Sequence, residues 1–148
     1  MANDYIRERT YMTDWETIIR EYGPEVWRTA YRLLGNRSDA DECMQEVFAA
    51  AVEVSRREPV ENWAALLKRL AVLRGIDSLR RRGRDLLRGA DDSEMLRAAG
   101  RETAPDAAAQ TSELAARLRA ALARLPGKHA RAVCLRYINE MSYEEISR

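Results

Sequence analysis

Apolar residues in this chain recur at intervals of three and four, and helix breakers divide them into short runs. That spacing places the apolar side chains along one stripe of a helix, whereas a half-buried strand would alternate. Thr13-Asp14-Trp15-Glu16 reads as a capping box, in which a hydroxyl and a carboxylate three residues on each accept from a free backbone N–H. A short helix is expected from there to Tyr22, broken by Gly23-Pro24. The next helix is expected to start near Pro24, because proline is tolerated in a first turn. Val26, Trp27, Ala30, Leu33 and Leu34 carry its stripe, and Gly35-Asn36 supplies a left-handed stop.

Ser38 with Asp41 reads as a second cap. The helix behind it carries Cys43, Met44, Val47, Phe48, Ala51 and Val54 on one side and Asp39, Asp41, Glu42, Gln45 and Glu46 on the other, and Arg57-Glu58-Pro59 ends it. A long helix is expected from Val60 to Arg82, with Trp63, Leu66, Leu67, Leu70, Leu73 and Ile76 on its apolar side. From residue 85 to 110 small and polar residues dominate, which reads as a mobile linker. Leu114, Leu118, Ala121, Leu122 and Leu125 mark a further helix, stopped at Pro126-Gly127. Another carries Ala130, Val133, Cys134 and Tyr137 and is expected to end near Asn139. Ser142-Tyr143-Glu144-Glu145 is a third capping box, just before the final residue, Arg148. Residues 1–12 are polar and expected to be frayed.

The expected fold is therefore all-α. A four-helix module covers residues 13–84, a flexible linker 85–110, and a smaller helical module 111–148. Apolar residues make up 46% of the 148, enough for a core. A charged fraction of 33% with a single Phe favours several small amphipathic helices over one large core. A polar linker predicts that the two modules move relative to one another.

Net charge is only +1, so the distribution of charge carries the information. From Arg56 to Arg88 there are ten basic residues, among them Lys68, Arg69, Arg74, Arg80, Arg81, Arg82 and Arg84, against four acidic ones. Positive charge concentrated on one helix is the footprint of a phosphate-backbone binder, and the guanidinium fork suits phosphate and guanine edges. The same run also reads as a solvated helix end, where cations suit the dipole. Trp63 reads either as a stacking platform for a base or as core. The acidic residues Asp39, Asp41, Glu42 and Glu46 crowd a first turn, where the dipole favours anions, or form a face for a basic partner.

Cys43 and Cys134 lie far apart among helix formers and read as free, buried thiols. No signal peptide and no run of apolar residues long enough for a membrane span is recognisable, so a cytoplasmic protein is expected. No enzyme is expected, nor a cofactor or metal. His129 is the sole histidine and stands five residues before Cys134, which is not a usual ligand pattern, and no Gly-rich phosphate loop occurs.

Taken together these residues resemble the sigma-70 family of RNA polymerase subunits, in its extracytoplasmic-function branch. Asp39-Ala40-Asp41-Glu42-Cys43-Met44-Gln45-Glu46-Val47-Phe48 is similar to the Asp-Ala-Glu-Asp-Leu-Val-Gln-Glu-Val-Phe signature of its region 2. Leu66 to Ala71 with Ile76 to Arg81 is similar to the stretch that follows, although the family's asparagine falls on Leu73 and its tryptophan on Leu66. Leu122 to Pro126, Arg131 to Tyr137 and Met141 to Ile146 resemble the start of region 4.

The resemblance implies that Asp39, Asp41, Gln45 and Glu46 dock on the clamp helices of the polymerase largest subunit. It implies that the helix carrying Trp63, Lys68, Arg69, Arg74, Arg80, Arg81, Arg82 and Arg84 binds and helps open the −10 element of promoter DNA. Region 4 would read the −35 element with a helix-turn-helix. Ser142 to Arg148 would be only the start of that motif, so the chain is expected to be truncated within region 4; a partial sigma factor of altered duty is the other reading. An anti-sigma factor is a further expected partner. The alternative function is a sigma-like module that binds polymerase or an anti-sigma partner without directing transcription.

Overall fold

In the computed structural model, residues 13–89 and 107–148 are described, and six α-helices lie within them. They are α1 (Trp15–Leu34), α2 (Arg37–Arg57), α3 (Trp63–Gly89), α4 (Ala107–Arg124), α5 (Gly127–Tyr137) and α6 (Tyr143–Ser147). Residues 1–12 and most of the expected linker lie outside the described residues. The linker's described ends are helical.

Two expected helices are one. α1 continues through Pro24, although proline has no N–H to give the preceding turn. Gly23 and Val26, on either side, are buried, and Gly23 lies against the Met44 side chain. Burial on both sides of Pro24 therefore carries the helix through a residue that local preference would use as a stop. The four expected helical segments of residues 13–84 thus form three helices.

The caps also move by a residue or two. Asp14, not Thr13, caps α1, accepting from the Thr17 backbone N–H at 3.0 Å. Asn36, not Ser38, caps α2, accepting from the Asp39 N–H at 2.8 Å. Asn62 accepts from the Ala65 N–H at 3.0 Å and opens α3. α3 does not end with the arginine run but continues to Gly89. Arginine is a good helix former, and Gly83 alone costs about 1 kcal/mol, too little to stop a packed helix.

α1, α2 and α3 pack around Leu33, Leu34, Val47, Leu67, Val72 and Ile76. Small residues, Ala30, Ala40, Ala51 and Ala71, are fully buried where the helices approach. Gly75 marks the tightest approach, since a Cβ there would stand 2.6 Å from Leu33 Cδ1.

The later helices do not form a separate core. Leu122, Ala130, Cys134, Leu135 and Met141 join the same buried cluster as α1 to α3. α4 and α5 both lie on α3, within that shared cluster. In α4 most of the expected stripe turns outward: Leu114 is 68% and Leu118 58% exposed. Of that stripe Leu122 is buried, and Arg119 and Ala123 face the bundle beside it.

Gly75→Ala is expected to destabilise the chain despite alanine's better helix propensity. The gain is about 1 kcal/mol, and overpacking against a buried leucine costs about 1–3 kcal/mol. A urea midpoint at or above that of the parent would show that α1 and α3 have room to separate.

Candidate functional site

The C-terminal end of α1 organises the surface on which the charged residues meet. A helix leaves its last four carbonyls without internal partners. Here each has one. Gly35, left-handed at φ 77°, turns its N–H back to Tyr31 O at 2.8 Å. Arg119 donates to Arg32 O at 3.1 Å and to Leu33 O at 3.0 Å. Arg82 donates to Leu34 O at 3.0 Å. Two cations at the negative end of a helix dipole are favourably placed. Burial lowers the proton affinity of both guanidinium groups, and Arg119 lowers that of Arg82 further. Both stay charged at neutral pH.

Arg82 reaches across to α2 as well, where its guanidinium pairs with the Asp39 carboxylate. Asp39 is itself held by Asn36 Nδ2, which donates to it at 2.6 Å. About two turns along α2, Arg81 pairs with Glu46 at 3.5 Å. Asp41 accepts from the Trp27 indole N–H at 2.7 Å, and Trp27 stacks on Tyr31 with centroids 5.1 Å apart. Gln45 is exposed. The acidic face is therefore a fixed array, two of whose carboxylates are answered by the arginine run itself.

The other basic candidates lie elsewhere along α3. Lys68 pairs with Glu25 of α1 at 3.4 Å. Arg69 donates to Glu145 O and, at 3.4 Å, to Ile146 O in α6. Arg80 donates to Leu125 O at the end of α4. Arg74 Nε is buried without a hydrogen-bond partner among the described residues. Arg84 is exposed. Trp63 is half-buried and meets Trp15 edge to face, centroids 5.2 Å apart, so its ring is committed in large part to packing.

Cys43 and Cys134 are free and buried. Burial pushes both thiols up to about 11; at Cys43 Glu46 adds to the rise and Arg74 and Arg81 oppose it. Both are protonated at neutral pH and act as small apolar residues. Among the described residues no group of three or more His, Cys, Asp or Glu could hold a metal ion, and no helix is long and apolar enough to cross a membrane.

A family model of sigma-70 region 2 matches residues 18–85, the span of α1 to α3 that carries both charged faces. The chain is 32% identical over 143 residues to the ECF RNA polymerase sigma factor SigE of Mycolicibacterium smegmatis, covering 97% of this chain and 55% of that protein. It belongs to the sigma-70 family, in the extracytoplasmic-function branch. A second relative, the ECF RNA polymerase sigma factor SigW of Bacillus subtilis, is 28% identical over 136 residues, covering 87% of this chain and 73% of its own length. The chain spans about half the length of SigE.

Within this region 2 fold, sequence reasoning found the charged residues and missed what joins them. Arg119 was not among the expected site residues, yet it closes two carbonyls of α1. Asn139 was read only as a helix end, yet its Nδ2 donates to the buried Thr29 hydroxyl of α1 at 2.9 Å. These contacts link residues 86 to 110 positions apart, a separation over which periodicity carries no signal.

The third capping box forms as expected. Ser142 Oγ accepts from the Glu145 N–H at 3.2 Å, and the Glu145 carboxylate accepts from the Ser142 N–H at 2.7 Å. Hydrogen bonds from Ser142 lower the Glu145 carboxyl below its ordinary 4.5. A carboxylate with a lowered folded value contributes stability that is fully present above 4.5 and disappears as pH falls through the lowered value. The α6 amides are thus expected to lose exchange protection on the acid side of that value. Glu145→Gln should remove this acid dependence; an unchanged pH profile in the variant would place its origin elsewhere.

Proposed function

We propose that this chain is a sigma factor directing promoter-specific transcription initiation. Asp39, Asp41, Gln45 and Glu46 on α2 dock on the clamp helices of the RNA polymerase core, and α3 engages and helps melt the −10 element of promoter DNA. The protein works in the cytoplasm, where both partners are found. The observation that carries this reading is the region 2 match over residues 18–85, which contains both faces. Charge chemistry supports it: carboxylates suit a basic docking surface, and arginines suit the phosphate track and unstacked bases of an opened strand.

Asp39→Arg and Glu46→Arg are expected to weaken binding to polymerase core by about tenfold or more, equivalent to about 1.4 kcal/mol or more. Unchanged affinity for both in a pull-down or by interferometry would sink the docking role. Replacing Arg80, Arg81 and Arg82 together by Ala is expected to make the salt dependence of single-strand binding shallower. Each lost phosphate contact removes about 0.7 from the slope of log K against log salt, so three contacts remove about 2. A slope that does not move would mean these arginines touch no phosphate.

A second reading is a sigma-like module that holds polymerase or an anti-sigma partner without directing transcription. The internal engagement of Arg69, Arg80 and Arg82 is the observation in its favour. Core binding with no retention of −10 single strand by the complex would select it.

A further inference from the structure

We infer that the segment α4 to α6 is an internal cover for α3, latched at the C-terminal end of α1, and that single-stranded DNA and this cover compete for the same arginines. The inference rests on the DNA-binding reading of α3.

The cover meets α3 through the side chains that DNA would use. Arg69 is taken by carbonyls of α6 and Arg80 by the last carbonyl region of α4, at Leu125. A guanidinium whose N–H groups point into backbone carbonyls cannot offer the same N–H groups to a phosphate. Gly127, at the start of α5, lies against the Arg80 guanidinium, so α5 also fills the space beside it.

The latch uses different residues. Arg119 grips Arg32 O and Leu33 O, Arg32 reaches Ile138 O at 3.5 Å, and Asn139 is buried on Thr29. Neither Arg119 nor Asn139 lies on the DNA-binding helix, so the cover can be loosened without touching the proposed contacts. The latch is also incompletely satisfied. Asn139 Oδ1 is buried with no hydrogen-bond partner among the described residues, and such an atom regains a partner when water enters. Closure is thus held by these polar contacts together with the buried Leu122, Ala130, Cys134, Leu135 and Met141, and it is opposed by at least one unmet group.

The test compares the full chain with Arg119→Ala and, separately, Asn139→Ala. Cysteines introduced at exposed Arg57 and Tyr137 carry a spin-label pair, while the native thiols are buried and stay unlabelled. Affinity is measured for a short fluorescent single-stranded DNA of mixed sequence. Both variants are expected to lengthen and broaden the label distance and to tighten DNA binding by about fivefold or more, since apparent affinity scales with the open fraction. Arg119→Ala removes a positive charge, so a gain in DNA affinity cannot come from added electrostatics. If Arg119→Ala loses helix content by circular dichroism, Asn139→Ala, which changes no charge, decides.

A longer label distance with unchanged DNA affinity would overturn the competition, leaving the DNA-binding reading intact. An unchanged distance in both variants would overturn the latch. Absence of DNA binding in the parent and in both opened variants would remove the DNA-binding reading and the inference with it.

Discussion

The end of α1 is the joint on which this structure turns. Four carbonyls there need partners, and the chain supplies them from three directions: the backbone of Gly35, Arg82 from α3 and Arg119 from α4. Gly35 has to be left-handed, and a side chain there would also strike the Arg119 guanidinium, whose atoms lie 2.8 Å from a built Cβ. Arg82 continues from this joint to Asp39, which the cap of α2 holds in place. One helix end thereby fixes the relative position of the acidic face, the basic run and the C-terminal segment. Hydrogen bonds from charged donors are worth about 1.5–3 kcal/mol each, against about 1 for neutral ones. The joint is therefore stronger than its few contacts would imply by number.

Much of the fold was legible because it depends on short-range rules. The left-handed stop at Gly35, the end at Arg57, the break at Pro126-Gly127 and the box at Ser142 are all set by residues within one turn. The errors arise where a distant surface overrides a local preference. Pro24 should end a helix, but Gly23 and Val26 beside it are buried, Gly23 against Met44 of α2, and the helix continues through. Ser38 and Asn36 are both good caps, and nothing within the motif says which one the chain will use. Leu114 and Leu118 share helical spacing with Leu122, yet only Leu122 is buried, because the Arg119 contacts set the rotation of α4.

The site follows the same division. Its charges could be listed from sequence, since an acidic first turn and an arginine run are local features. Their pairing could not. Arg80 and Leu125 are 45 residues apart, and Arg69 and Glu145 are 76 apart. A near-neutral net charge already required that opposite charges be segregated or paired. The structure does both, segregating them by helix and then pairing α3 with α2 along one seam.

That pairing orders the arginines by how readily an anionic strand could recruit them. Arg84 is exposed and, among the described residues, makes no ion pair or hydrogen bond, so it is available at once. Arg81 comes next: its pair with Glu46 leaves the arginine side chain 54% exposed, and such pairs contribute about 0–1 kcal/mol. Arg80, Arg69 and Arg82 come last, because each must leave a backbone carbonyl that water or another donor then has to satisfy. A phosphate can replace those acceptors with two charged oxygens in the geometry the guanidinium prefers. A basic partner on Asp39 and Glu46 would lower the same barrier from the other side, by taking the carboxylates that hold Arg82 and Arg81. The two surfaces are then linked through shared side chains: whatever binds one weakens the contacts that occupy the other, and by reciprocity the effect runs equally in both directions.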